Sequence, residues 1–102
     1  MAFRVVFTEV AVEDLEGVSD YIFQDDPEAA RRVCRGLYDL ALSLGDNPFM
    51  GRMTPEYGDP TIRDIVRGKY RIVYVVSDAN DTIQIIRFWH GARGYLPEAL
   101  GS

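Results

Sequence analysis

The chain holds one cysteine (Cys34), one histidine (His90), one tryptophan (Trp89) and one lysine (Lys69) in 102 residues. A lone cysteine has no partner for an internal disulfide, which points to a reducing, cytoplasmic setting. A single histidine and a single cysteine cannot build a typical metal cage, so no metal and no other cofactor is expected. No glycine-rich phosphate loop follows a strand. No apolar run reaches the roughly 18–20 residues that cross a bilayer, and residues 1–9 lack the charged-then-apolar pattern of a signal peptide. No membrane partner is therefore expected.

With lysine nearly missing, positive charge rests on arginine, which supplies ten of the eleven basic side chains. Its planar fork suits phosphate or carboxylate. The net charge of −5 makes the chain a poor general binder of nucleic acid, because sequence-independent affinity comes from neutralising phosphates. The imbalance is local. Residues 1–50 carry ten acids and four bases, whereas residues 51–102 carry six acids and seven bases. An anionic partner would have to meet a basic patch in the second half.

Hydrophobic patterning predicts one domain spanning residues 1–102, in the order strand, helix, helix, strand, strand, strand. Phe3–Phe7 reads as a short strand of β-branched and aromatic residues. Thr8 is the expected cap of a first helix over residues 9–23, with Ala11, Leu15, Val18 and Ile22 at helical spacing. Asp26-Pro27 starts a second helix with an apolar stripe of Ala30, Val33, Leu37, Ala41 and Leu44, and Gly45 is read as its stop. Residues 47–60 form a turn-rich loop. Ile62–Arg67 and Tyr70–Val76 flank Gly68-Lys69, where a leading glycine suits a type II′ hairpin turn. Thr82–His90 is the last strand. The class implied is α+β, a two-layer sandwich with a helical hairpin on an antiparallel-dominated sheet. One sheet face is expected to stay open for recognition.

If Arg67 pairs with Tyr70, then Arg63, Ile65, Arg67, Tyr70, Ile72 and Tyr74 share one face. Asp64, Val66, Arg71, Val73 and Val75 share the other. A five-residue turn over Ser77–Asp81 would place Arg87 opposite Arg71.

Two strings carry a family likeness: Gly-Lys-Tyr-Arg-Ile-Val-Tyr at 68–74 and Ile-Ile-Arg-Phe-Trp-His-Gly-Ala-Arg at 85–93. Together with Glu13-Asp14-Leu15, Tyr21-Ile22 and Asn47–Arg52, they resemble the RelE/ParE superfamily of toxins from type II toxin–antitoxin systems, over roughly residues 3–95. The resemblance implies that fold and a cognate antitoxin as partner in a hetero-oligomer, with plasmid stabilisation as the role. It leaves two activities open. The RelE-like branch implies a metal-independent, ribosome-dependent mRNA endonuclease in which Arg71 and Arg93 match phosphate-stabilising arginines. Two lysines of that branch fall here on Ile62 and Asp64, and an aspartate repels phosphate. The YoeB-like branch implies Glu56 as base, Arg71 as phosphate clamp and His90 as acid, with Gly91 where that branch has tyrosine. The ParE-like branch, whose typical ending resembles His90-Gly91-Ala92-Arg93, implies a poison of DNA gyrase that needs no catalytic residue. The acidic balance favours this last reading. Arg63, Arg67, Arg71, Arg87, His90 and Arg93 then form the candidate binding set.

Plainer readings stand beside these. A histidine at a strand end is often a hydrogen-bonded structural residue. Cys34 beside the second helix's stripe reads as inert core. Tyr70, Tyr74, Phe88 and Trp89 read as core or antitoxin contacts rather than a base-stacking platform. Arg71, Arg87 and Arg93 near the central strands imply an exposed functional face, because a buried arginine needs a carboxylate. Only Asp64, Asp78 and Asp81 lie nearby among residues 61–93. The competing account pairs Arg71 with Asp64.

Overall fold

A computed structural model describes residues 2–98 of the chain. Strand β1 (Arg4–Phe7) leads into helix α1 (Glu9–Phe23), followed by helix α2 (Pro27–Ser43). Strands β2 (Arg52–Met53), β3 (Ile62–Arg67), β4 (Tyr70–Ser77) and β5 (Thr82–His90) complete the sheet, and a 3-10 turn covers Gly91–Arg93. The strand order is β1-β5-β4-β3-β2, with β1 parallel to β5 and the other pairs antiparallel. Apart from the two-residue β2 inside the loop, this is the sandwich read from the sequence.

Both helix starts follow from their capping residues. The Thr8 and Asp26 side chains accept the N–H groups of Ala11 and Ala29, each at 3.1 Å, and Pro27 opens α2. Each cap satisfies a backbone donor that helix geometry leaves unpaired. Gly45 works through close approach rather than a left-handed backbone. A side chain there would meet the Phe3 carbonyl oxygen at 2.7 Å, where Phe3 N–H now donates to the Gly45 carbonyl at 2.7 Å.

The hairpin turn has Gly68 at φ +58°, with Lys69 in the ordinary region, as a type II′ turn requires. Arg67 pairs with Tyr70 and Asp64 with Val73, so the two faces expected of this hairpin are the ones formed. Tyr70, Ile72, Tyr74, Ile83, Ile85 and Phe88 pack under the helices against Leu37, Ala41 and Leu44. Each large side chain buried in this way stabilises the fold by about 1.5–3 kcal/mol.

Two expectations need correction. Ser77 pairs with Thr82, so the second turn has only four residues between paired ends, and a bulge inserts Ile86 where Val73 faces Arg87 and Tyr74 faces Ile85. Arg71 therefore stands opposite Trp89, not Arg87. The second sheet face is also not open. Val73, Ile86, Trp89 and Leu96 bury against one another there, with Tyr57, Ile62 and Val75 packed alongside. The loop before β3 and the segment after the 3-10 turn close over it. Among the described residues no helix is long and apolar enough to cross a membrane.

Candidate functional site

Arg71 enters the second face from the middle of the β3–β4 hairpin. Strand alternation puts it on the same side as Asp64, and the turn-rich loop returns Glu56 to the same spot. Its Nη1 and Nη2 groups donate to Glu56 Oε2 and Oε1 at 2.6 and 2.9 Å. Its Nε donates to Asp64 Oδ2 at 2.6 Å, and Nη2 also reaches that oxygen. Asp64 has no exposed side-chain surface, while Arg71 and Glu56 are each 12% exposed. The second Asp64 oxygen accepts from Arg52 Nε at 2.8 Å. Glu56 also accepts the Leu96 N–H at 3.1 Å.

The electrostatics follow from these contacts. The Arg71 guanidinium, more than desolvation opposes it, holds the Glu56 carboxyl down at about 2. The two carboxylates push Arg71 above its ordinary range. A carboxylate titrating at that value is a weak general base, and a guanidinium with two bound carboxylates has little left for a phosphate.

His90 lies elsewhere. It pairs with Tyr70, so its side chain is on the helix side of the sheet, and its ring meets Tyr70 edge-on at 5.0 Å. Its Nδ1 accepts the Ala92 N–H at 3.0 Å and caps the 3-10 turn. The structure thus brings Glu56 and Arg71 together; strand pairing puts His90 on the opposite face, and it meets Arg71 only along a groove at the end of the β3–β4 turn that both line.

The other arginines do not form one patch. Arg87, 4% exposed, donates through Nε and Nη2 to the two Asp14 oxygens at 2.8 and 3.0 Å. The Phe88 N–H donates to the same carboxylate at 3.0 Å. The exposed position expected for Arg71 and Arg87 is therefore overturned, because each has found a carboxylate. Asp14 lies outside residues 61–93, yet it carries a signal: it sits three residues after buried Ala11, on the packed side of α1. Arg63 donates to the backbone carbonyls of Gly51 and Pro60 at 2.8 and 3.2 Å and lies over Phe49. Arg93 stacks on Trp89, 3.9 Å from the ring centre. Arg67 extends along α2, its guanidinium filling the space over Gly36.

Arg67 and His90 share a groove of about 550 Å³ between the helical hairpin and the β3–β4 turn, which also holds Arg32 and Lys69. Arg32 and Lys69 lie outside the candidate binding set read from the sequence. Cys34 lines a separate apolar groove with Phe7, Leu15 and Phe88, and burial raises its thiol above the ordinary value.

A family model described as the ParE toxin of the type II toxin–antitoxin system parDE matches residues 5–95. A curated relative, Toxin RelE2 of Caulobacter vibrioides, is 37% identical over 91 residues, covering 88% of this chain and 97% of the relative. The toxin–antitoxin complex RelBE2 from Mycobacterium tuberculosis contains a chain similar to this one at TM-score 0.68 and 24% identity, covering 88% of this chain and 99% of that one. The chromosomal ParDE system of P. aeruginosa contains another at TM-score 0.71 and 21% identity, covering 87% and 96%. At those identities the two structures speak to the fold alone.

Proposed function

Because this chain belongs to the ParE toxin family of type II toxin–antitoxin systems, we propose that it is a protein-binding poison that inhibits DNA gyrase and is neutralised by a cognate antitoxin. The observation that carries this reading is the state of Arg71. Glu56 and Asp64 already neutralise the side chain that a nuclease of this fold would need on its phosphate. A low-lying Glu56 and a His90 on the other face leave proton transfer to a ribose hydroxyl without an assembled acid–base pair. A poison that works by binding needs neither. The acidic chain also suits a protein target better than ribosomal RNA.

One observation favours a ribosome-dependent mRNA endonuclease: Glu56 and Arg71 are in contact, as that chemistry would want two of its three groups. In that reading a ribosome-bound substrate displaces the carboxylates. Purified protein tested for gyrase supercoiling and for cleavage of ribosome-bound mRNA separates the two. Inhibited supercoiling with intact mRNA is expected. Cleaved mRNA with unaffected gyrase would overturn the proposal. Co-expression with the adjacent reading frame should give a co-purifying complex, and independent purification of the two proteins would remove the antitoxin from the account.

A further inference from the structure

We propose that the groove between the helical hairpin and the β3–β4 turn binds a nucleoside polyphosphate, the base on its aromatic residues and the phosphates on its basic ones. The inference goes beyond the gyrase reading and is tested without gyrase, so the two fail separately.

The first observation is a phenol without a partner. Tyr70 is 9% exposed, and among the described residues its hydroxyl makes no hydrogen bond. Two other tyrosines use theirs: Tyr74 accepts the Gly51 N–H at 2.9 Å, and Tyr57 donates to the Pro97 carbonyl oxygen. A buried phenol ordinarily finds such a partner. Among the described residues Thr54 holds the sealed-off side-chain oxygen that lacks one, so the Tyr70 hydroxyl still opens to solvent. Tyr70 lines this groove and the smaller one at the end of the turn.

The second observation is charge. Arg32 from α2 and Arg67 and Lys69 from the hairpin line the groove, and among the described residues none of the three has an ion pair or a hydrogen bond. No acid lines it. In a chain of net charge −5 this is a local reversal of sign. Gly36 helps to place it. A methyl group there would meet Arg67 Nε at 2.6 Å and Cζ at 2.7 Å, so the missing side chain lets the guanidinium lie against α2.

The third observation is the pairing of rings with that charge. Tyr21, 74% exposed, and His90 line the groove beside Tyr70, together with Ile22, Val33 and Leu37. At about 550 Å³ the groove has the size of a small-molecule site. This combination selects the ligand class. Phosphates meet the three bases, a heterocycle stacks on an exposed ring, and its polar edge meets the free phenol. A long polynucleotide would carry further phosphates away from the bases and over an acidic chain.

The whole chain is titrated with adenosine triphosphate in magnesium-free buffer, with calorimetry for affinity and amide shifts in nuclear magnetic resonance for place. Adenosine and inorganic tripolyphosphate carry the two halves of the ligand separately. The nucleotide is expected to shift the amides of Tyr21, Arg32, Val33, Lys69 and Tyr70, and to bind about ten-fold or more tightly than either half. Tyr70→Phe removes only the unpartnered hydroxyl, so the thermal midpoint should hold while affinity falls about two- to ten-fold. Tyr21→Ala should lower affinity about five-fold or more. Arg32→Ala, Arg67→Ala and Lys69→Ala should each lower it up to about five-fold, the worth of one exposed ion pair. Gly36→Ala removes no charge and should act in the same range by displacing Arg67. No binding of the nucleotide, shifts confined to other surfaces, tripolyphosphate binding as tightly as the nucleotide, or an affinity indifferent to these substitutions would overturn the proposal.

Discussion

Arg67 and Arg71 stand four residues apart on the two arms of one hairpin, and their surroundings differ in kind. Arg71 faces Asp64 and Glu56 on the second side of the sheet, with its charge spent inside the protein. Arg67 faces the helices, lies across Gly36 and has no carboxylate. The two side chains are chemically identical. What separates them is which neighbours share the same face of the pleat. An arginine on a strand therefore says little about function until the carboxylates on its own side have been counted.

The comparison breaks most visibly at Arg71. Arg71→Ala leaves buried Asp64 and nearly buried Glu56 without their common partner, and the expected loss is about 3–5 kcal/mol in urea unfolding. If the variant stays within about 1 kcal/mol of the parent and yet no longer arrests growth, Arg71 is a recognition residue and the contrast with Arg67 dissolves.

Acid titration tests the same cluster from the other side. The folded Glu56 carboxyl titrates at about 2, below its ordinary 4.5, so the native state binds fewer protons than the unfolded chain. Its stabilisation is complete above about pH 4.5 and is lost as pH falls toward about 2, amounting to at most about 3 kcal/mol. Glu56→Gln should flatten the unfolding free energy over that window. A variant with the parent's acid dependence would remove Glu56 from the cluster's energetics.

Smaller effects sharpen the picture. Asp14→Asn weakens the charged bonds to Arg87 while preserving the shape of the side chain, and about 1.5–3 kcal/mol should be lost in the same measurement. No loss would mean that Arg87 does not depend on this partner. Arg93→Ala removes only stacking on Trp89 at the surface, worth about 0.5–1 kcal/mol. A much larger drop in thermal midpoint would show that the segment after β5 depends on Arg93 for its position.

The fold was legible in the sequence because its signals are local. Thr8, Asp26-Pro27 and Gly68 each fix a backbone junction within a few residues. The Asp64–Arg71 contact was legible for the same reason, since a two-residue turn sets its register. The second turn was not, because a shorter connection and the bulge at Ile86 moved Arg87 by two positions relative to β4. The Arg87–Asp14 pair joins residues 73 apart, a separation at which pattern reasoning has no reach. The covered second face escaped for a related reason: Leu96 and Tyr57 come from segments whose sequence shows only turn residues. Gly36 alone offered a usable hint of the basic groove, as a glycine placed where alanine would be the better helix former.

The parallel pairing of β1 with β5 sets the order in which a nascent chain acquires its structure. Phe7 has no sheet neighbour until Ile85 has been translated, 78 residues later. At about 5–20 residues per second, that interval is roughly 4 to 16 seconds. The helical hairpin, whose contacts are close in sequence, has emerged long before. During synthesis the apolar underside of α1 and α2 is thus on offer before the sheet that will cover it exists.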